Sequence, residues 1–123
     1  MLINLSNHPA EKWQGNQISL AKEKYGSVQD LPFPQVPPAA TKNEVVNLSE
    51  SLFKQICDIL DERANNSKPN AVHVQGEFTL VFSLVTMLKE SDIVCIASTS
   101  NRNVKQEGNK KIISFEFIQF REY

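Results

Sequence analysis

The 123-residue sequence predicts an α/β fold, in which a mostly parallel sheet carries helices on both faces. Short apolar runs and longer stretches of helical periodicity alternate along the chain in the order β-α-β-α-β-α-β. The apolar runs show no polar alternation, which is typical of parallel strands buried on both faces. Two further arms around Gly108 and Asn109 predict a C-terminal antiparallel hairpin. With right-handed crossovers, these elements make one small Rossmann-like domain over residues 1–123.

The first quarter of the chain supplies two strands and a helix. Leu2–Leu5 is apolar and predicts the first strand. Pro9 suits the first turn of a helix, so we expect a helix over residues 10–25. Gly26 is placed to end it, and residues 27–31 predict a second short strand.

A proline-rich crossing and the most regular helix come next. Four of the residues 32–38 are prolines, which lack an amide proton and exclude a helix or a central strand. We expect this segment to be extended and packed on the body through Phe33 and Val36. Thr41 to Glu44 is a capping box, and apolar periodicity then predicts a helix to about Arg63.

The second half repeats the strand–helix alternation. A turn is predicted at residues 65–70, a third strand at 71–74 and a third helix at 77–90. This helix is apolar over most of its circumference, which indicates a central position or a subunit interface. Residues 93–97 predict a fourth buried strand.

The C-terminal segment predicts a loop and then the hairpin. Five polar residues, 98–102, follow the fourth strand and favour a loop. The hairpin arms are 103–107 and 110–120. The apolar pattern changes phase between Phe117 and Ile118, which implies a β-bulge or burial on two sides.

Composition excludes several classes of protein. Thirteen basic and fourteen acidic residues leave a formal charge of -1, which argues against binding long nucleic acid but not against a small anionic ligand. No run approaches about 18 apolar residues and no signal peptide is evident, so we expect a cytoplasmic protein without a membrane partner. Cys57 and Cys95 indicate buried thiols in a reducing compartment rather than a disulfide framework or a zinc site.

Polar segments follow three of the predicted strands. Ligands of open α/β sheets bind beyond the carboxyl ends of the strands, near the point where the strand order reverses. These segments therefore supply the candidate ligand-binding residues. They are Ser6, Asn7 and His8; Gln75, Gly76 and Glu77; and Ser98, Thr99, Ser100, Asn101 and Arg102.

The first two segments have both a structural and a functional interpretation. Ser6 to Pro9 can be a helix cap, but His8 adds nothing to capping and suits a general acid or base, or a phosphate-binding cation. Gly76 and Glu77 can simply begin the third helix. Alternatively, Gly76 lets a phosphate approach a helix N-terminus, and Glu77 contacts a ribose hydroxyl or holds His8.

The third segment, residues 98–102, can be a plain turn or a phosphate clamp of hydroxyls, an amide and an arginine. His73 lies within a strand, which favours a buried histidine with satisfied hydrogen bonds. Trp13, Gln17 and Tyr25 are candidate stacking or interface residues. No ligand spacing indicates a metal, and a single glycine is not a dinucleotide fingerprint, so we expect no metal and no cofactor.

The opening Leu-Ile-Asn-Leu-Ser-Asn-His-Pro, with Ala-Ser-Thr-Ser-Asn-Arg after strand four, resembles small CRISPR-associated proteins of the Rossmann-like (CARF-type) group. Some families of this group are ring nucleases, which bind and cleave the cyclic oligoadenylate messengers of type III CRISPR systems. Ser6, His8 and Arg102 stand at matching positions, whereas Asn7 intervenes between Ser6 and His8. The resemblance covers two loops and the order of elements.

This resemblance implies a homodimer with the cyclic ligand across its two-fold axis. Cleavage would be independent of metal, with a ribose 2′-hydroxyl attacking its adjacent phosphate to leave a 2′,3′-cyclic phosphate. Arg102, with Ser98, Thr99 and Ser100, would hold phosphate charge, and His8 would transfer a proton. Two alternatives remain: a sensor of cyclic nucleotides that does not cleave them, and a protein-interaction module that docks a partner on the third helix.

Overall fold

The computed structural model describes residues 1–64 and 67–123. Its elements confirm the predicted α/β class. In chain order they are β1 (Leu2–Leu5), a 3-10 turn (Ala10–Lys12), α1 (Gly15–Tyr25), β2 (Val28–Asp30), α2 (Lys42–Arg63), β3 (Ala71–Val74), α3 (Phe78–Glu90), β4 (Val94–Glu107) and β5 (Lys110–Glu122).

One five-stranded sheet has the order β2-β1-β3-β4-β5. The first four of these strands are parallel, and β5 runs antiparallel to β4. From β1 the chain adds β2 on one side of β1, and then adds β3 and β4 on the other side. The direction of strand addition therefore reverses between β1 and β3. In doubly wound sheets this reversal opens a crevice at the carboxyl ends of the strands. This topology predicts that a ligand site, if the sheet follows the general rule, lies near the carboxyl ends of β1 and β3.

Each face of the sheet has its own hydrophobic core. Alternate residues of β1 and β3 point to opposite faces, and all residues of both strands are buried, as predicted for parallel strands. α2 and α3 cover one face, with a core of Ile3, Leu5, Val45, Leu52, Ile56, Val72, Val74, Leu80, Leu84, Leu88 and Cys95. α1 covers the other, with Leu2, Ala21, Tyr25, Ala71, Ile96, Phe117 and Phe120.

The chain after β1 differs from the predicted helix over residues 10–25. α1 begins only at Gly15, because the residues after Pro9 form a 3-10 turn and Trp13 is extended. Asp30, at the end of β2, accepts hydrogen bonds from the Ala10 amide at 3.0 and 3.3 Å and so caps this turn. Gly26 ends α1 as predicted, with a φ of 85°.

The crossing to α2 agrees with its prediction. Residues 32–38 contain neither helix nor strand, and Phe33 and Val36 pack on the core beneath α2 and α3. Thr41 Oγ1 accepts from the Glu44 amide at 3.2 Å, which confirms the cap of α2. Of the turn predicted at residues 65–70, residues 65 and 66 lie outside the described part of the chain.

α3 lies on the surface rather than at the centre of the molecule. Its inner face is buried, but Phe78 and Phe82 are 88% and 76% exposed. Of the two alternatives raised by its apolar sequence, the central position is therefore wrong. Cys95 is buried as expected, whereas Cys57 is partly exposed. Within residues 1–64 and 67–123, no helix is long and apolar enough to cross a membrane.

The predicted loop at residues 98–102 is wrong, because β4 continues without a break from Val94 to Glu107. β5 pairs with β4 along its whole length and satisfies the backbone that a loop would have exposed. The predicted bulge is confirmed: Thr99 pairs with Gln119 but Ser100 pairs with Phe117, so one residue of β5 is extra. The bulge keeps Phe117 on the same face of the sheet as Phe120.

Candidate functional site

A pocket of about 360 Å³ opens on the α1 face of the sheet, at the carboxyl ends of β3 and β4. β3 and β4 form its floor, the 3-10 turn and the start of α1 form one wall, and β5 forms the other. The lining residues are His8, Lys12, Trp13, Gln14, Gln17, His73, Gln75, Ser98, Ser100, Phe115 and Phe117.

A chain of hydrogen bonds crosses the floor from β2 to β4. Asn4 Nδ2 donates to Asp30 Oδ1 at 2.8 Å, so Asn4 Oδ1 faces His73 Nδ1 at 2.9 Å as an acceptor. Nδ1 therefore carries the imidazole proton, and Nε2 accepts from Ser98 Oγ at 2.8 Å. Gln17 Nε2 donates to Ser98 Oγ at 3.0 Å. Each hydrogen bond in this chain thus has an assigned donor and acceptor.

His73 is buried, with 2% of its surface exposed. Its ring lies edge-on to Trp13 and Phe120, at centroid distances of 5.2 and 5.9 Å. Burial is the main cause that lowers the pKa of His73 from 6.5 to about 4. The imidazole is therefore uncharged near pH 7, which confirms its interpretation as a buried histidine with satisfied hydrogen bonds.

The order Ser98–His73–Asn4 has the connectivity of a nucleophile, a base and an orienting group. A histidine with a pKa of about 4 is a weak base near neutral pH, and the neutral Asn4 amide does not stabilise an imidazolium as a carboxylate would. The chain of hydrogen bonds therefore orients Ser98 rather than activating it. Because the Ser98 hydroxyl proton is given to His73, Ser98 has no donor left for a phosphate.

His8 is held through its backbone, which leaves its side chain exposed at the rim of the pocket. The His8 carbonyl accepts from Asn4 Nδ2 at 2.8 Å and from Trp13 Nε1 at 3.0 Å. The buried Ser6 hydroxyl accepts from the His8 amide at 3.2 Å. Ser6 therefore shapes the end of β1 instead of entering the pocket, and the exposed Asn7 borders a neighbouring cavity beside the proline segment.

Two glutamine side chains take the place of sheet hydrogen bonds around the pocket. Gln75 Nε2 donates to the Ser98 carbonyl at 3.2 Å and its Oε1 accepts from the Ser98 amide at 3.3 Å. Gln14 in the same way donates to the Phe115 carbonyl and accepts from the Phe117 amide, at 2.5 and 3.0 Å. These contacts hold both β4 and the outer edge of β5 in place.

The strand conformation divides the predicted segment 98–102 between two faces. Ser98 and Ser100 reach the pocket, and Arg102 lies on the same face two residues further along β4. Thr99 and Asn101 lie on the opposite face, where Thr99 Oγ1 donates to the Gln119 carbonyl at 3.2 Å. The structure therefore brings three of these five residues to the pocket side.

Gly76 and Glu77 have structural explanations. A Cβ at Gly76 would lie 2.5 Å from ring atoms of Phe33, so the close approach at this glycine is made by that ring. Glu77 caps α3, because its carboxylate accepts from the amides of Thr79 and Leu80 at 3.1 and 2.9 Å. Hydrogen bonds from Leu80 and Thr79 hold the pKa of Glu77 below its usual value.

Sequence reasoning missed several residues of the pocket and grouped others correctly. Trp13 and Gln17, singled out as stacking or interface residues, both line it, whereas Tyr25, the last residue of α1, is buried in the core between α1 and the sheet. The sequence could have indicated the role of Asn4, because an amide side chain inside an apolar strand needs a buried hydrogen-bond partner. Lys12 and Phe115 carried no such signal in the sequence.

The pocket suits an anionic ligand with a flat apolar part. Lys12 is exposed on one wall, and no Asp or Glu is among the described residues that line the cavity. Trp13 and Phe115 supply aromatic surface, and the amide and hydroxyl groups supply directed hydrogen bonds. Over the described residues, no group of three or more His, Cys, Asp or Glu side chains is placed to hold a metal ion.

Fold and site together define a small Rossmann-like α/β protein with a pocket of polar and aromatic residues at the carboxyl edge of its sheet. The model of one protein family matches residues 1–121, and the chain belongs to that family, described as the uncharacterized protein MJ1673 family. No curated protein matches the sequence.

Proposed function

We propose that this protein binds a cyclic oligoadenylate in the pocket and cleaves it, as a ring nuclease of type III CRISPR defence. The lining of the pocket carries the proposal, because it combines a lysine, an exposed imidazole and aromatic rings with no described carboxylate. A nucleotide offers the matching anionic phosphate and flat base. The likeness of residues 2–9 and 97–102 to CARF-type proteins narrows the nucleotide to a cyclic oligoadenylate.

The proposed reaction is a transfer at phosphorus. A ribose 2′-oxygen forms a bond to the adjacent phosphorus while the bond from phosphorus to the 5′-oxygen breaks. The 2′-proton passes to a base, the departing 5′-oxygen gains a proton, and the products carry a 2′,3′-cyclic phosphate and a 5′-hydroxyl. His8 transfers a proton at the rim, and Lys12 and Arg102 stabilise the charge on the phosphate. The reaction uses no metal ion.

A homodimer completes the site in this proposal. A cavity of about 360 Å³ is of the order of one nucleotide, which is smaller than a cyclic oligonucleotide. A second pocket, related by a two-fold axis, would take the opposite half of the ring. We place the dimer in the cytoplasm, where such a messenger would be made and degraded.

A sensor that binds without cleaving is the second candidate, and the state of the two histidines favours it. His73 is buried and uncharged, so His8 is the single exposed imidazole among the described residues of the pocket. Within one subunit, the proton donor and the proton acceptor of a cleavage reaction are therefore not both present.

Incubation with cyclic tri-, tetra- and hexa-adenylate tests the proposal, with calorimetry for binding and mass spectrometry for a linear 2′,3′-cyclic phosphate product. We expect cleavage by the wild type and a loss of about 100-fold in rate for His8→Ala, with the ligand still bound. Lys12→Ala should weaken binding, whereas Lys24→Ala, exposed on α1 and outside the pocket, should not.

The possible results separate the candidates. Ligand that is bound but recovered intact from the wild type indicates a sensor. Failure to bind any of the three rings would reject both nucleotide functions. The exposed Phe78 and Phe82 of α3 would then favour the protein-interaction module.

A further inference from the structure

The wall of the pocket formed by β4 and β5 extends well beyond the sheet. β3 pairs with β4 only up to Ile96, whereas β4 and β5 remain paired to Glu107 and Lys110. The ten residues 98–107 therefore carry a two-stranded ribbon roughly 30 Å past the carboxyl edge. Gln14 fixes its base by bonding the outer edge of β5.

One face of this ribbon continues the surface of the pocket. Side chains alternate along a strand, so Ser100 and Arg102 share the face on which Ser98 meets His73. The register pairs Ser100 with Phe117 and Arg102 with Phe115. We call these four residues, Ser100, Arg102, Phe115 and Phe117, the ribbon face. Three of them line the pocket, and Arg102 is the next residue outward.

The ribbon face combines an aromatic ring with a cation. Phe115 is 60% exposed and lies directly across from Arg102. The next pair outward on this face is the apolar Val104 and Ile113, and the nearby Glu116 points to the opposite face. Alternate residues of a strand are about 6.6 Å apart, which is comparable with the spacing of successive phosphates in an extended single strand. Exposed aromatic rings beside a cation are the usual platform for stacked bases.

Resting on the proposed function, we infer that the ribbon face is a second nucleotide subsite. The base next to the one in the pocket stacks on Phe115, and its phosphate pairs with Arg102. Because Arg102 lies outside the pocket and Phe115 at its outer end, the subsite contributes fully only when the ligand contains at least two linked nucleotides. Arg102 thus selects for an oligonucleotide over a mononucleotide.

Binding of AMP and of a 2′-deoxyadenylate dinucleotide tests the inference, because neither probe can be cleaved: the dinucleotide lacks the attacking 2′-hydroxyl, and AMP lacks a phosphodiester. Calorimetry would compare the wild type with Phe115→Ala and Arg102→Ala. Ile112→Ala and Lys105→Ala are matched controls, since both residues lie on the opposite face of the ribbon and Ile112 is 45% exposed. Thermal melting and light scattering would verify the fold and the oligomeric mass of each variant.

We expect the wild type to bind the dinucleotide at least 10-fold more tightly than AMP. Phe115→Ala and Arg102→Ala should each weaken dinucleotide binding about 10-fold more than they weaken AMP binding, and the controls should match the wild type. Equal affinities of all variants for the dinucleotide would overturn the inference while leaving the proposed function intact. An equal loss of affinity for AMP and for the dinucleotide in these variants would also overturn the inference. A fall in oligomeric mass with Phe115→Ala alone would overturn it as well. A wild type that binds neither adenylates nor cyclic rings would refute both.

Discussion

Acidification should weaken the fold through His73, because the folded chain holds this imidazole uncharged. Burial lowers its pKa from 6.5 to about 4. Between these two values the unfolded chain binds a proton that the folded chain does not, so the free energy of unfolding falls as the pH falls. The contribution is complete above about pH 6.5 and is lost as the pH drops to about 4.

The size of the effect follows from the two pKa values. One pH unit of difference corresponds to about 1.4 kcal/mol, so the full contribution is about 3 kcal/mol. Between pH 7 and pH 5 the loss is about 2 kcal/mol. That is a large share of the stability of a small domain, which is of the order of 5–15 kcal/mol.

Urea unfolding at pH 7, 6 and 5, followed by circular dichroism, measures this loss. His73→Asn should be less stable at pH 7 but should lose about 2 kcal/mol less than the wild type between pH 7 and pH 5. His8→Asn is the matched control, because His8 is exposed and the variant should follow the wild type. Parallel losses in the wild type and His73→Asn would refute the reasoning. If His73→Asn does not fold, an NMR titration of the wild type should place the His73 imidazole near pH 4 instead of 6.5.

Three further changes test the packing and the caps. Gly76→Ala should destabilise the protein by about 1–3 kcal/mol in thermal melting, because the added Cβ meets the Phe33 ring. Combining it with Phe33→Leu should recover part of the loss. An unchanged melting temperature for Gly76→Ala would contradict this packing. Thr41→Ala should cost about 1 kcal/mol in urea unfolding through the lost cap of α2, and a cost near zero would contradict it. Gln14→Ala should speed hydrogen exchange at the Phe117 amide, its direct partner, and unaltered exchange would show that another group protects that amide.

Local signals in the sequence were sufficient where an element depends on its own residues. β1 was predicted at its observed bounds, and α2 was predicted from the capping box at Thr41. The errors in the start of α1 and in residues 98–102 have non-local causes. Pro9 favours a helical turn locally, but Asp30, twenty residues beyond Ala10, caps a 3-10 turn there and delays α1. Residues 98–102 favour a turn by composition, but β5 supplies their partners and makes them a strand.

The same division holds for the site. The carboxyl-edge rule correctly brought His8, Gln75 and Ser98 to one pocket, because that rule follows from topology alone. Lys12 and Phe115 reach the pocket only through tertiary contacts that the sequence does not encode locally. Asn4 is an intermediate case, because its burial was predictable from the apolar strand but its hydrogen-bond partners were not.

The satisfied floor of the pocket determines where selectivity must reside. Asn4, His73 and Ser98 use their hydrogen-bonding groups on one another and on Asp30, His8 and Gln17. A ligand that competes for them would leave a buried group unpaired, at a cost of about 1–3 kcal/mol. The floor is therefore a rigid surface against which a ligand is positioned. Discrimination between ligands must come from the walls, where charge and aromatic surface are exposed. A chain with a net charge of only -1 can thus hold an anion, because the local arrangement of charge in the pocket decides binding.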